Sequence, residues 1–343
     1  MRLLITGSSG FIGSHLVVAA LKRSALVAGV DTAPTALRHE SFTYLSCDIL
    51  EAEKLRAIFS QFQPDHVVHL AATHDISTPV NENLGLAGYR VNTDGTANLI
   101  AAIRDYGRVR RAVFTSTQLV SRIGHVPAND QDYHPSTYYG RSKLIAERLI
   151  REQQGGGTEW VIVRPTTVWG PGMMKHYQRF LELIKQGRYI HTGRRQLFKT
   201  YGYVGNIATQ YCELLTAPAK QVHEKVFYLA DYDPLSLRAY ADALAHEMDA
   251  PPIRTIPEPL MWAAAKAGDV LNYCGWSRFP LNSFRLTNIL TEYQVDMVKT
   301  QEVCGRLPYT FEEGIRETVA WFLTVRPGGD MSQRGGLASS SER

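Results

Sequence analysis

Cys47, Cys212, Cys274 and Cys304 are the only cysteines in 343 residues. They are far apart and form no CxxC pair, which argues against both a disulfide framework and a cysteine zinc site. Idle thiols in a reducing compartment are the expectation. Long apolar runs are missing as well. None approaches the ~20 residues of a membrane span, and the opening MRLLITG is too short for the core of a signal peptide. Charge of one sign is also scarce. Lys plus Arg is 37 against 33 Asp plus Glu, a net charge of +4 with no long basic run. That speaks against a dedicated nucleic-acid binder and leaves room for an anionic small molecule. The expectation is a cytoplasmic protein with no metal site, no nucleic-acid partner and no membrane partner.

What is present suffices for a large core. Hydrophobic residues make up 44% and charged residues 20%, ordinary globular usage that rules out wholesale disorder. The length allows one large domain or two closely joined ones, at roughly 100–200 residues each. Short β-prone runs at Leu3–Thr6, Leu26–Asp31, Thr43–Cys47, Val67–Ala71, Arg111–Ser116 and Trp160–Arg164 alternate with helical patterns at Phe11–Lys22, Glu51–Phe62, Leu84–Tyr106 and Thr137–Gln153. This alternation predicts an α/β fold, a Rossmann-type doubly wound parallel sheet covered by helices on both faces. The rhythm breaks after Pro165. A helix is expected at Tyr177–Gln186, and Val226–Leu229 is apolar enough to return to the sheet. The expected division is a cofactor-binding domain over 1–170 with a returning strand near 224–231, a mostly helical substrate lobe over 171–223 and 232–326, and a disordered tail over 327–343 that lacks apolar residues to bury.

The strongest local signal is Thr6-Gly7-Ser8-Ser9-Gly10-Phe11-Ile12-Gly13, which follows the first strand and opens the first helix. Gly7 permits a tight turn, Gly10 lets a diphosphate approach the backbone, and Gly13 lets helix and strand pack closely. The free N–H groups at the helix start attract the phosphates. Asp31 ends the second strand eighteen residues past Gly13. An acid there accepts hydrogen bonds from ribose hydroxyls and repels a 2′-phosphate, which favours NAD over NADP. Arg38 is the nearest base that a 2′-phosphate would use.

Tyr139 and Lys143 stand four apart on an expected helix and therefore on one face. With the GxxGxxG turn, Tyr139-Gly140-Arg141-Ser142-Lys143 resembles the extended short-chain dehydrogenase/reductase superfamily, in its NAD-dependent epimerase/dehydratase group. Cys47-Asp48-Ile49, His69-Leu70-Ala71-Ala72, Asn92-Thr93-Asp94-Gly95-Thr96, and Arg164-Pro165 followed by Trp169-Gly170-Pro171-Gly172 agree with it in order along the chain, over residues 1 to about 325. The resemblance implies NAD contacts at Gly7, Gly10, Phe11, Ile12, Gly13, Asp31, Asp48, Ile49, Leu70, Ala71, Ala72, Asn92, Thr115, Tyr139, Lys143 and Pro165. It also implies that Thr117 hydrogen-bonds the reacting oxygen, with Ser116 as the alternative one register away. Tyr138 lacks the spacing to Lys143 and is assigned to packing or substrate lining.

The chemistry explains the pairing. A free Tyr has a pKa near 10, and lowering it by about three units takes roughly 4 kcal/mol of preference for the phenolate. An ammonium and a cationic nicotinamide both act in that direction. Tyr139 would then exchange a proton with a substrate hydroxyl, and Lys143 would also hold the nicotinamide ribose.

Gln118 and Leu119 follow Thr117 where dehydratase relatives carry an Asp-Glu pair, so water removal is disfavoured, as are decarboxylation and cysteine-dependent epimerisation. What remains is oxidation or reduction at one carbon. The favoured reading is an NAD-dependent nucleotide-sugar epimerase acting at C4 through a ketosugar. The alternative is an NAD(P)-dependent reductase or dehydrogenase on a ketosugar or another alcohol; the remote one is a non-catalytic dinucleotide sensor. Candidate substrate residues are His74, Thr117, Lys175, His176, Arg194, Arg195 and Lys199, the last three as a basic cluster suited to a nucleotide diphosphate. Asn206 stands where the resemblance leads one to expect Asp. The resemblance also implies that helices near 84–104 and 138–152 form the four-helix interface of a homodimer.

Overall fold

Runs such as Leu3-Leu4-Ile5 and Val161-Ile162-Val163 carry apolar side chains at consecutive positions, so both faces of each strand must be covered. They are, in a computed structural model that describes residues 1–74, 84–274 and 281–324. Seven strands, β1 (Arg2–Thr6), β2 (Leu26–Asp31), β3 (Phe42–Ser46), β4 (His66–His69), β5 (Arg111–Thr115), β6 (Glu159–Pro165) and β7 (Lys225–Leu229), form one sheet. Their order across it is β7-β6-β5-β4-β1-β2-β3. Every pairing in the sheet is parallel. The chain moves outward from β1 in one direction and then returns to β4 on its other side. That switch leaves a crevice at the carboxyl ends of β1 and β4, where doubly wound folds bind ligands.

Helix α1 (Phe11–Lys22) and helix α6 (Val204–Thr216) cover one face, with Leu16, Val17, Ile207 and Tyr211 packed on Leu3, Ile5 and Val163. On the other face lie α2 (Ala52–Phe62), α3 (Thr96–Tyr106) and α4 (Tyr138–Glu152), where Leu55, Phe59, Leu99, Ile103 and Ile150 surround Leu4, Val67, Phe114 and Ile162. A third cluster builds the smaller lobe. Its centre is Trp169, whose ring lies 5.0 Å from Tyr203, 5.1 Å from Tyr240 and 6.0 Å from Phe311. In this lobe α5 (Lys175–Lys185), α7 (Leu237–Glu247), α8 (Glu258–Tyr273), α9 (Ser283–Leu290) and α11 (Phe311–Thr324) are joined by three two-stranded sheets, whereas α10 (Val298–Cys304) packs back on the large sheet, its Thr300 hydroxyl donating to the Tyr228 carbonyl (2.7 Å) and Cys304 lying in the core with Tyr211 and Phe227. Asn206 ties the lobe together. Its amide donates to Asp231 (2.8 Å) and to the Tyr309 carbonyl (3.0 Å), and its oxygen accepts the Tyr309 N–H (3.1 Å). Asp at that position would meet the Asp231 carboxylate with like charge.

One expected helix is not continuous. Leu84–Tyr106 reads as a single helical run, but Gly85–Tyr89 is a 3-10 turn, Val91–Gly95 is a π turn and only Thr96–Tyr106 is regular. Gly85 sits at φ 57°, and the Asn92 side chain is drawn sideways by Thr73. π turns interrupt helices mainly where a side chain has such a task. The expected tail over 327–343 lies outside the described residues, as do residues 75–83.

Candidate active site

The glycine turn connects β1 to α1 at the crevice. Gly7 adopts φ +74°, and a Cβ there would stand 2.6 Å from the Ala71 nitrogen, so only glycine lets the turn touch the end of β4. No side chain caps the first turn of α1, which begins after Gly10. Its free N–H groups, next to a residue without a side chain, fit a dinucleotide diphosphate. Phe11, Ile12 and Gly13 form that first turn. Asp31 closes the loop from the next strand. Its two carboxylate oxygens accept the Ser9 and Ala33 N–H groups, each at 2.9 Å, and a carboxylate has lone pairs left for ribose hydroxyls. Arg38 turns away and donates to the carbonyls of Thr35 and Leu37. Asp48 and Ile49 lie just beyond β3. Asp48 accepts the Leu50 N–H (2.9 Å), and Ile49 is buried against Gly95.

Leu70, Ala71 and Ala72 follow β4, half-exposed. Beneath them runs a buried relay. The Thr6 hydroxyl accepts the Ala71 N–H (3.3 Å) and lies 2.7 Å from His69 Nδ1; His69 Nε2 lies 3.0 Å from the Thr96 hydroxyl, which donates to the Asn92 carbonyl (2.8 Å). Because Thr96 spends its proton on Asn92, it accepts from His69, which therefore carries a proton on Nε2. Burial, with the Lys143 charge, pulls His69 down to about 3. The unfolded chain thus takes up a proton below pH 6.5 that the folded chain refuses, so this contribution to stability is whole above pH 6.5 and is lost as pH falls toward 3. About 2 kcal/mol should vanish between neutrality and pH ~5 at ~1.4 kcal/mol per unit. Urea unfolding at both pH values should show a smaller loss in His69→Gln; equal losses would reject this account.

Asn92 connects that relay to α4. Its amide donates to the Thr73 carbonyl and the Ser142 hydroxyl, both at 2.9 Å, and its oxygen accepts the Thr73 N–H (2.7 Å). Thr137 caps α4 by accepting the Gly140 N–H (3.0 Å). Gly140 allows the helix to rest on the Leu119 carbonyl, 2.2 Å from where a Cβ would be. This close approach brings Tyr139 beside Thr117, which accepts the Leu119 N–H (3.2 Å). Burial pushes the Tyr139 phenol up to about 12, with Thr117 acting against the rise and neighbouring Tyr89 adding to it. Lys143 is buried one turn further on. Its ammonium donates to the Thr115 carbonyl (2.9 Å), and burial pulls it down to about 8 against the pull of Glu147. Ser116, with its buried hydroxyl unpartnered among the described residues, is also at the strand end.

Sequence reasoning missed several members of this arrangement. The Tyr211 hydroxyl pairs with Thr115 (2.8 Å). Glu147 forms a two-pronged buried ion pair with Arg164 (2.9 and 2.7 Å) and accepts the Tyr133 hydroxyl (2.8 Å). Spacing offered one clue, since Glu147 is one turn past Lys143 on the same buried face. Pro165 ends β6 beside Arg164, fully buried. His15 on α1 meets the Pro171 carbonyl (2.9 Å) and ties the WGPG segment to the glycine turn.

The substrate candidates do not form one cluster. Arg194 is exposed, Arg195 lies 3.6 Å from Glu292, and Lys199 donates to the Asn288 carbonyl (2.7 Å). Arg195 lines a cavity of about 210 Å³ with Arg188, Arg238 and His191. Lys175 opens α5 and is exposed. The His176 side chain lies outside the described residues, and His74 is exposed where the described part of its loop ends.

The parallel sheet with its glycine turn, strand-end acid and Thr-Tyr-Lys group defines a dinucleotide-binding enzyme of the doubly wound class. Residues 3–230 match the model of the NAD dependent epimerase/dehydratase family, and the chain belongs to that family. Similar proteins include the N-acetyl-alpha-D-glucosaminyl-diphospho-ditrans,octacis-undecaprenol 4-epimerase of Escherichia coli, 27% identical over 93% of this chain and 95% of that protein. The 3 beta-hydroxysteroid dehydrogenase/Delta 5→4-isomerase of Mycobacterium tuberculosis is 24% identical over 94% of this chain and 91% of that protein. Among solved structures, the UDP-glucose 4-epimerase of Thermus thermophilus in complex with NAD superposes with a TM-score of 0.70, at 25% identity over 94% of this chain and 99% of that one. Among the described residues no helix is long and apolar enough to cross a membrane.

Proposed function

We propose that this protein is an NAD-dependent nucleotide-sugar 4-epimerase. The carrying observation is Tyr139 and the buried Lys143 on one helix, with Lys143 anchored on the Thr115 carbonyl at the strand end that leads to Thr117, followed by Gln118 and Leu119 rather than acids. The 4-epimerase relatives support the reading. Gly7, Gly10, the α1 first turn, Asp31, Asp48, Ile49, Leu70 to Ala72, Asn92, Thr115, Lys143 and Pro165 would hold the dinucleotide. Bound NAD would supply a hydride acceptor and donor and, in its oxidised form, a positive charge that favours the phenolate. Tyr139 Oη exchanges the proton of the substrate hydroxyl. Thr117 Oγ1 orients that hydroxyl. Lys143 Nζ, anchored on the Thr115 carbonyl, holds the ribose and keeps a cation close to the reacting oxygen. The cationic rim of Arg188, Arg195 and Arg238 is suited to a diphosphate. We assign the protein to the cytoplasm as a homodimer through the segments near 84–104 and 138–152, where Leu84 and Leu86 stand exposed.

The engagement of Arg195 by Glu292 and of Lys199 by the Asn288 carbonyl, together with the hydroxysteroid relative, favours a second reading: a dehydrogenase or reductase acting on an alcohol without a diphosphate. One purification without added cofactor separates the two. Near-stoichiometric NAD or NADH released on denaturation, with redox-neutral conversion of UDP-sugars, is expected of the epimerase. An empty protein whose turnover changes the absorbance of the reduced nicotinamide would replace it with the second reading. Light scattering on the same sample reads the mass; a single-chain value would remove the homodimer.

A further inference from the structure

Between Thr117 and Tyr139 the chain makes a loop that takes no part in the proposed reaction. There, among the described residues, His125, Asp132 and His134 form a group whose donor atoms all lie within 4.8 Å of one another. We propose that these three side chains bind one divalent transition-metal ion, with zinc the ion they suit best.

Asp132 stands at the centre. One carboxylate oxygen is 3.0 Å from His125 Nε2 and the other is 3.0 Å from His134 Nε2. The two imidazole rings lie side by side, 4.4 Å between centroids. A tetrahedral zinc ion with bonds of about 2.0–2.1 Å separates its donors by roughly 3.4 Å. The three residues therefore need sub-ångström to about one-ångström shifts to admit it, within reach of side-chain rotation.

The backbone holds them in place. Asp132 accepts the Ala128 N–H (2.9 Å), its own N–H donates to the Asn129 carbonyl (3.1 Å), and its carbonyl accepts the Ser121 hydroxyl (3.2 Å). The His134 N–H donates to the Val120 carbonyl (3.0 Å) and the His125 N–H to the Arg122 carbonyl (3.1 Å). The loop is anchored in turn, because Arg164 donates to the Asp130 carbonyl (2.7 Å).

Two imidazoles and one carboxylate are a donor set for zinc and its neighbours rather than for calcium or magnesium, which take oxygen ligands. The side chains are 21%, 23% and 53% exposed, which gives an ion a way in and leaves its fourth position to water. Sequence reading looks for paired cysteines or closely spaced histidines and passes over this pattern. The ion would pin the segment that leads from Thr117 to the start of α4. Its role is structural, and it takes no part in proton or hydride transfer.

The test uses the whole protein, stripped with a chelator and then titrated with zinc ion alone. Expected are one zinc retained per chain after desalting and a thermal midpoint that rises with zinc concentration. His134→Ala and, separately, Asp132→Asn should each weaken zinc binding on the order of tenfold or more, at least what losing an outer-shell partner costs. His134 is half-exposed, so its variant should keep the fold, and circular dichroism confirms this before titration. His125→Gln serves as a further probe. No zinc retained above the buffer level, or zinc bound equally by wild type and the variants, would overturn the proposal and leave a hydrogen-bonded cluster.

Discussion

Tyr139→Phe is expected to lower turnover on the order of 10²–10⁴-fold, the usual worth of a positioned acid–base group, or about 3–5 kcal/mol of barrier. Stability should change little, because the ring is kept and Thr117 retains its bond to the Leu119 N–H. NAD titration should give an affinity close to wild type, since the phenol is one contact among many. Steady-state rates on UDP-sugars and on simple alcohols, with urea unfolding as control, make the comparison. Unchanged turnover in a folded, NAD-binding variant would remove Tyr139 from the chemistry. The same experiment bears on the cofactor's part. Burial, with Tyr89, holds the phenol at about 12, and a bound nicotinamide charge would lower it. A phenol titration followed by ultraviolet difference spectra should move downward on NAD saturation in wild type and disappear in part in the variant.

The second large effect is expected at Arg164 and Glu147. Both are almost wholly buried, at 2% and 0% side-chain exposure, and two hydrogen bonds join them. Burial works against the Arg164 charge, and the Glu147 carboxylate more than offsets it. Arg164→Met leaves a buried carboxylate without its main partner, which typically costs about 3–5 kcal/mol. The double variant Glu147→Leu with Arg164→Met should recover most of that loss, because an apolar pair of similar volume is often neutral. Urea unfolding of both single variants and the double variant reads this directly, and an Arg164→Met loss well under 1 kcal/mol would contradict it. Glu147 also supports the Lys143 charge. Glu147→Gln should drop Lys143 further below about 8, so the alkaline decline in NAD affinity should move to lower pH. An unmoved decline would show that Glu147 serves packing alone.

How much of this was legible in advance follows from distance along the chain. The helix Phe11–Lys22 and the strand Leu26–Asp31 match the expected boundaries. Both rest on periodicity and punctuation within a dozen residues. Tyr139 and Lys143 were legible for the same reason, because one helical turn places them on one face. The break at 85–95 was not, since it depends on Asn92 reaching Thr73, a residue nineteen positions away. The basic residues Arg194, Arg195 and Lys199 look like one cluster in sequence. In the fold, Glu292 and the Asn288 carbonyl draw two of them to separate partners.

The amino-acid sequence by itself determined the doubly wound sheet, the glycine turn, the strand-end acid and the family. Each is a local pattern that backbone geometry translates into structure with few alternatives. Only the tertiary structure decided the neutral state of His69 between Thr6 and Thr96, the Glu147–Arg164 pair below Lys143, and the convergence of His125, Asp132 and His134. Those depend on which strands become neighbours and how loops fold back between them. Hydrogen bonds and ion pairs act over about 3 Å, so residues far apart in the chain meet only after the sheet order has brought them together.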